Sequence, residues 1–309
     1  MSDIKFSVVI PSYKTSEEVM TRTIESVLAQ NYKPYEIIVV DDNGGNEFTD
    51  INKKLQNKYS EKVQFEFYPQ NMGANHARNT GIKAATGDFI AFLDSDDEWY
   101  PIFLEEVVKC INNKSAKFIS VQYFIRTKTG RFQFSKKGFK EGDISKSILF
   151  RDLVGPTSSV VVEKNTIIDA GLFDEALPAR QDYDMWIRVA QIAHIYYIDT
   201  PLLDIYRDGH DSISRSYKRN VRGTQMVLDK ILVSYDLSEY ERKSISYAQN
   251  KRMAMSSAHG GNFKDARMYS KRALMSIFSI GMVGYYILYS IPPIYKIMRK
   301  QMHKMREFK

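Results

Sequence analysis

The sequence predicts an α/β fold, a sheet whose strands alternate with helices, followed by a helical extension. Three observations predict it. Short apolar runs occupy residues 6–11, 36–42 and 88–94, the first stopping at Pro11 and the other two ending in acids. Stretches of helical spacing separate them, at residues 17–30, 48–59 and 75–87. From residue 220 to 277 the spacing is helical throughout. Strands alternating with helices at this interval imply parallel strands joined by crossover helices.

Each element follows from its own residues. FSVVIP (6–11) is a buried strand stopped by Pro11. Glu17 to Gln30 places Val19, Ile24, Val27 and Leu28 on one helical face. EIIVVDD (36–42) is a second strand, Phe48–Tyr59 suits a helix, and VQFEFY (63–68) alternates as a strand does. NHARNTGIKAATG (75–87) reads as a helix closed by Gly87. DFIAFLD (88–94) is the next strand, with a helix expected from near Pro101. KFISVQYFIRT (117–127) and RFQFS (131–135) form a hairpin around Lys128-Thr129-Gly130, and SSVVVEK (158–164) is a further strand. Asp182–Ile192 fits a helix, and IYYID (195–199) and LLDIYR (202–207) are read as two strands separated by Pro201. Tyr240–Ala258 and Phe263–Ile277 flank a Gly260-Gly261 break and form a packed helical hairpin.

Composition narrows the function classes. Of 309 residues, 43% are hydrophobic and 26% charged, which excludes disorder as the main state. The net charge of +7 allows nucleic acid, an anionic membrane or phosphate ligands. No nucleic-acid fold signature accompanies it, so no nucleic-acid partner is expected. Cys110 is the single cysteine, which rules out an intramolecular disulfide. The opening MSDIKFSVVIPSYK has too short an apolar run for a signal peptide, so a cytoplasmic body is expected.

No charged residue lies between Arg272 and Lys296, and basic residues then dominate: Lys296, Arg299, Lys300, Lys304, Arg306 and Lys309. Ser276, Ser279, Gly281, Gly284, Ser290 and Pro292-Pro293 interrupt the apolar stretch. This pattern fits a segment lying on an anionic membrane surface, at the inner face of the plasma membrane, better than a soluble packed helix, the second reading, or one crossing the membrane, the third.

In an open α/β sheet the ligand sits beyond the carboxyl ends of the strands. Pro11-Ser12-Tyr13, Asp41-Asp42 and Asp94-Ser95-Asp96-Asp97 all fall there. An Asp-x-Asp turn can give one carboxylate to Mg2+ or Mn2+ and another to a sugar hydroxyl. Taken alone it is equally a solvated turn capping the next helix. Asp41 and Asp42 can accept from a base or a ribose, or simply open a turn into Asn43-Gly44-Gly45. Asn71 to Asn79 runs from a glycine loop into a helix, with His76 and Arg78 in its first turn, where anions are favoured. No Walker loop occurs. Asp182, in RQDYDMW, is a general base or a helix cap. Arg207 and His210, in YRDGHDSIS, can meet phosphate or metal, or belong to a surface loop.

Together, SVVIPSYK, IIVVDD, NMGANHARNTGIKAATGDFIAFLDSDDEW, GLFDE, QDYDMW and YRDGHDSIS resemble the family 2 glycosyltransferases, in the family's order and over roughly residues 5–215. The resemblance implies a GT-A fold, a Rossmann-like mixed sheet flanked by helices, with the α-helical C-terminal part outside it. It implies a catalytic domain at 1–219, with a nucleotide-sugar half to about 115 and an acceptor half from 116; beyond it the residues' own pattern reads as a helical hairpin region at 220–278 and an apolar, basic membrane-proximal tail at 279–309. The resemblance implies inverting, metal-dependent transfer of a sugar from a nucleotide diphosphate sugar, UDP-linked by family habit, to a hydroxyl of a saccharide acceptor. A lipid-linked acceptor in surface-glycan synthesis suits the membrane-proximal tail. Carried over by motif, Asp96 holds Mn2+ or Mg2+ and His210 joins it. Asp94 lies near the ribose or donor sugar, and Asp41 reads the base against a wall of Pro11 and Tyr13. Asn71 and Arg78 approach the nucleotide or diphosphate, Arg207 the phosphate side, and Asp182 is the base.

Two departures stand out. Many members carry Glu-Asp where this chain has Gln181-Asp182. The Gln-x-x-Arg-Trp motif of processive synthases is absent, which points to transfer of one or a few sugars. The alternative reading is a nucleotide-sugar-binding scaffold at the membrane that has lost catalysis. The helical third leaves room for assembly into an oligomer.

Overall fold

The computed structural model describes residues 3–133, 139, 141–207 and 216–298. They divide into two compact units. The first comprises Met1–Ser145, Leu153–Glu175 and Asp182–Asp208; the second comprises Lys146–Asp152, Ala176–Gln181 and Gly209–Lys309.

The first unit is built on a sheet that begins with four parallel strands: β1 (Phe6–Ser12), β2 (Glu36–Asp41), β3 (Gln64–Phe67) and β4 (Phe89–Phe92). Ser12 is the register partner of Asp41, so these two strands end level. The crossovers are α1 (Glu17–Leu28), α2 (Glu47–Tyr59) and α3 (Ala74–Ala84). Ser16 caps α1 by accepting from the Val19 N–H, and Asn46 caps α2 through Phe48. Gly81 lets α3 lie close on β1: a Cβ there would stand 2.3 Å from Val9 Cγ1. Short β5 (Glu98–Trp99) and α4 (Phe103–Lys114) follow β4.

Beyond α4 the sheet becomes mixed. β6 (Phe118–Thr127) forms a hairpin with β7 (Gly130–Gln133), and β8 (Val160–Glu163) runs antiparallel to both β4 and β6. After α5 (Lys164–Asp169) and α6 (Gln181–Ala190), β9 (Ile195–Tyr206) lies parallel to β6. The order is β3-β2-β1-β4-β8-β6-β9-β5, with β7 attached to β6. One face is covered by a core in which Val8, Ile10, Ile24, Val39, Leu104, Val121 and Leu203 are buried together.

Several elements differ from the sequence reading: α3 ends at Ala84 instead of being closed by Gly87, and β5 is a short strand not expected there. Residues 195–206 are one strand, not two: β6 shifts register between Val121 and Phe124, opposite Pro201, so the proline sits at an irregularity. The strand expected from residue 158 starts at Val160, because Thr157–Ser159 forms a 3-10 turn.

The second unit holds α7 (Tyr217–Ser234), α8 (Glu239–His259), α9 (Phe263–Ser276) and α10 (Ile280–Ser290). Ser238 and Glu241 form a capping box at the start of α8. Gly261, at φ +79°, makes the break between α8 and α9. Ala254, Ala258, Ala266 and Ala273 pack with Met282, Tyr289 and Tyr295. Among the described residues no helix is long and apolar enough to cross a membrane.

Candidate active site

The acidic turn after β4 is arranged so that its charges do not simply add. Asp97 is buried, its carboxylate accepting from the Ser158 hydroxyl at 2.5 Å and from the Tyr206 N–H at 3.0 Å. Burial first, then Asp96 and Asp94, push the Asp97 carboxyl well above the usual carboxylate range. Asp97 therefore tends to hold its proton. Asp94 is half-buried and meets Arg78 Nη2 at 2.7 Å, with the Thr157 hydroxyl 3.2 Å from both of its oxygens. Glu98 accepts from the Tyr206 hydroxyl at 2.8 Å and faces Arg22 at 3.8 Å. Of these four acids only Asp96 is exposed. The turn itself is fixed from below. Thr23 donates to the carbonyls of Ser95 and Asp97 at 3.0 and 2.9 Å, and Arg22 donates to that of Asp96 at 2.6 Å.

Residues 155–158, of which the sequence reading used only Ser158, as the start of a strand, are the second wall of this site. Trp186 Nε1 donates to the Gly155 carbonyl at 2.9 Å and Trp99 Nε1 to the Ser158 carbonyl at 3.0 Å. The indoles of two separate motifs thus hold one short loop at both ends. That loop presents Thr157 to Asp94 and Ser158 to Asp97, while Ser158 Oγ also accepts the Asp94 N–H at 3.0 Å. A Gly-Pro pair followed by three hydroxyl residues was the available signal.

At the end of β2 the structure corrects one expectation. Asp41, expected against the base, has no accessible surface. Its oxygens take the Asn43 N–H at 2.9 Å, Asn43 Nδ2 at 3.1 Å, the Thr49 hydroxyl at 3.0 Å and Asn52 Nδ2 at 2.6 Å. With both oxygens occupied by this chain, Asp41 organises the turn and the start of α2. Asp42 does the same for the next loop: it takes Asn71 Nδ2 and the N–H groups of Met72 and Gly73 at 2.6–2.9 Å. Burial still raises its carboxyl above the ordinary value. Asn71 also donates to the Asp42 carbonyl at 2.8 Å, so Asn71 is a brace within this loop. Pro11 lies in β1 opposite Val40, and Tyr13 is half exposed just beyond, with Lys14 Nζ 5.3 Å from its ring centre.

The polar face of α3 grips the GLFDE segment. Asn79 exchanges hydrogen bonds with the Phe173 backbone at 2.9 Å in both directions. Asn75 donates to the Asp174 carbonyl at 2.7 Å, and His76 Nδ1 lies 2.9 Å from Glu175 Oε2. His76 is thereby a structural contact. Arg78, one residue before Asn79, points instead to Asp94 and Thr157, with its guanidinium 5.7 Å from the Phe173 ring centre. Its Nε and Nη1 are buried without a hydrogen-bond partner among the described residues.

Asp182 stands in the first turn of α6, half-buried, where its Oδ1 accepts the Tyr183 N–H at 2.7 Å. Asp184, four residues before Arg188, is buried and paired with it at 2.8 Å, so of the two acids in this motif Asp182 is the more accessible. Arg207 is exposed at the end of β9, its N–H bonded to the Arg126 carbonyl at 2.9 Å. His210 lies outside the described residues.

The model of the glycosyl transferase family 2 matches residues 7–176, and the chain belongs to that family. An uncharacterized glycosyltransferase of Rickettsia conorii is 32% identical over 204 residues, 64% of this chain and 33% of the relative. The chain spans about a third of the length of that relative and of the one from Rickettsia felis. The amylovoran biosynthesis glycosyltransferase AmsB of Erwinia amylovora is 31% identical over 62% of this chain and 66% of its own. Among solved structures, S. aureus TarS 1-349 in complex with UDP-GlcNAc superposes with a TM-score of 0.69 at 18% identity, covering 93% of this chain and 90% of that one. The fold is thus GT-A, a mixed sheet flanked by helices with a helical C-terminal region.

Proposed function

We propose that residues 1–219 transfer a sugar from a UDP-linked donor to a hydroxyl of a saccharide acceptor, with inversion and without processive polymerisation, in surface-glycan synthesis. The observation that carries this reading is the sorting of the acidic turn. Asp97 is buried, Asp94 is half-buried beside Arg78, and Asp96 is exposed at the carboxyl end of β4. The UDP-GlcNAc and UDP complexes of TarS, and the amylovoran role in the name of AmsB, support the same class of donor and product.

Among the described residues no three His, Cys, Asp or Glu side chains converge into a protein-only metal site. A single exposed carboxylate fits Mg2+ or Mn2+ held jointly with substrate phosphates, which is the usual arrangement for Mg2+. Asp96 would hold the ion, with His210 joining. Bound there, the ion would stabilise the charge of the departing diphosphate. Arg78 has two buried nitrogens left to satisfy and is suited to the nucleotide phosphates or to an ordered water beside them. Tyr13, with Pro11 behind it, offers a wall for the base. Asp94, held by Arg78 and Thr157, can orient a donor hydroxyl. Asp182 would take the proton from the acceptor hydroxyl on the side opposite the leaving group, which inverts the anomeric carbon.

The last third would bring this chemistry to a lipid-linked acceptor. Ile280, Ile287, Ile294 and Ile297 are exposed, and basic residues follow them in sequence. Together they suit the surface of an anionic membrane.

Calorimetric titration of UDP, GDP, CDP and dTDP, with Mn2+ and with EDTA, tests the reading on wild type and Asp96→Ala. Selective UDP binding, weakened about ten-fold or more by EDTA or the substitution, supports it. Metal-independent binding removes the ion from the proposal. Failure to bind any nucleotide removes the transferase reading.

A further inference from the structure

The β6–β7 hairpin carries a charge arrangement that the transfer chemistry above does not use. Arg126 and Arg131 are direct register partners across it. Like charges placed opposite one another in an antiparallel pair destabilise it. Both guanidiniums converge on a single buried carboxylate, Asp204. Arg126 reaches Asp204 Oδ2 with Nε at 3.2 Å and Nη2 at 2.7 Å, and Arg131 Nε reaches Oδ1 at 2.7 Å. Tyr100 adds a fourth donor, its hydroxyl 3.0 Å from Oδ1. Rings pack against the guanidiniums: Arg131 lies 3.8 Å from the centre of Phe124, and Arg126 lies 5.5 Å from that of Tyr206.

One carboxylate neutralises one guanidinium. Glu98, the register partner of Asp204, adds a second carboxylate nearby but already faces Arg22 at 3.8 Å, so three guanidiniums share two carboxylates, and Arg126 and Arg131 keep side-chain exposures of 42% and 38%. Holding two long side chains still costs conformational entropy that a merely solvated hairpin avoids. The sequence deepens the imbalance: from Gln122 to Lys140 there are six basic residues and no acid. The pair also adjoins the acidic turn, since Arg126 is the register partner of Tyr206, whose N–H holds Asp97.

We infer that Arg126 and Arg131, preorganised by Asp204, bind a phosphate group of the acceptor, which is therefore a phosphate-bearing chain. This rests on the transferase reading for the word acceptor, and on the hairpin alone for the anion. Two guanidiniums held on the two oxygens of one carboxylate keep further N–H donors, Nη1 of Arg126 and both Nη groups of Arg131, and a phosphate, whose oxygens surround one centre, can accept from both.

The probe is a synthetic glycerol phosphate oligomer, titrated into the full chain with saturating UDP and Mn2+ present so that the nucleotide pocket is filled. Arg126→Gln/Arg131→Gln should weaken binding about ten-fold or more, while Lys53→Gln/Lys54→Gln on α2, which removes the same charge, should not. Equal loss in both variants, or none in the first, overturns the site. Polygalacturonate of matched charge should bind less tightly, and equal affinity overturns the phosphate assignment. Hydrogen exchange on wild type guards against a misfolded variant: the oligomer should protect amides of residues 124–133, and unchanged exchange there overturns the site. If wild type fails to bind UDP, the transferase reading falls, and the same oligomer titration without UDP still decides the hairpin.

Discussion

The Ser158 hydroxyl donates to the buried carboxyl of Asp97 at 2.5 Å and accepts the Asp94 N–H at 3.0 Å, so one side chain links both ends of the acidic turn to a loop some sixty residues on. Asp97 is thus the keystone of the turn. Its placement explains how a buried strand can run into four acids.

Asp97→Asn tests this through pH. The folded state raises the Asp97 pKa, so the native protein holds that proton more tightly than the unfolded chain, where Asp titrates near ~3.9. This contribution to stability is fully present below the unfolded value. It is lost as pH rises through the folded one. Asparagine mimics the protonated form, with Oδ1 accepting the Tyr206 N–H and Nδ2 donating to Ser158 Oγ, the reverse of the hydrogen bond that the carboxylate accepts. Melting midpoints of variant and wild type, compared from acid to mildly basic pH, should diverge in favour of the variant as pH rises. Parallel curves would remove the buried-acid argument. Ser158→Ala leaves polar groups unpaired in a buried place and should lower stability by about 1–3 kcal/mol.

Arg78 joins the turn to α3. Arg78→Gln keeps a donor near Thr157 but removes the charge facing Asp94 at 2.7 Å. A stability loss of about 1–3 kcal/mol is expected, the pair being half open to solvent on the Asp94 side. UDP affinity should fall in the same variant, read by calorimetry at a temperature where it is folded. Unchanged affinity would confine Arg78 to the support of Asp94.

Much of the parallel half was legible because its signals are local. Apolar strands ending in acids, helices between them, and the Asp-x-Asp turn are all read within a dozen residues. What escaped depends on distant partners. Thr157 and Ser158 matter because Trp99 and Trp186 hold their loop against the end of β4, which no local pattern reveals. Pro201 breaks the 195–207 stretch as a sequence, yet the register shift of β6 absorbs it. Asp41 looks like an exposed strand-end acid until Thr49 and Asn52 of the following helix are seen to saturate it.

Asp182→Asn separates binding from chemistry. The carboxylate is proposed to act on the acceptor proton alone, so nucleotide affinity should be unchanged while transfer falls about 10²–10⁴-fold. Donor consumption in the presence of acceptor, followed by nucleotide release, measures it. Transfer at the wild-type rate would take the base role away from Asp182. Gln181→Glu restores the acid that many family members carry before it. A higher rate in that variant would show that the neighbouring carboxylate assists the same proton transfer.

The C-terminal face offers a test that leaves the sheet alone. In α10 and the residues after it, Met282, Tyr289 and Tyr295 are buried against Ala254, Ala258, Ala266 and Ala273, whereas Ile280 is 81% exposed, Ile287 55% and Ile294 46%. Truncation would strip the buried set as well, so substitution is the cleaner choice. Ile280→Ser, Ile287→Ser and Ile294→Ser together remove apolar surface while sparing the packed residues. If this face enters the headgroup region, each isoleucine contributes up to about 1.5–3 kcal/mol of transfer free energy when fully buried, and less when it enters partway. Sedimentation with anionic vesicles should then fall by about ten-fold or more in the triple variant. High salt should release wild type in part, because the basic residues act through a screened attraction. Equal sedimentation of variant and wild type would separate the exposed isoleucines from lipid and leave the basic residues alone to explain any binding.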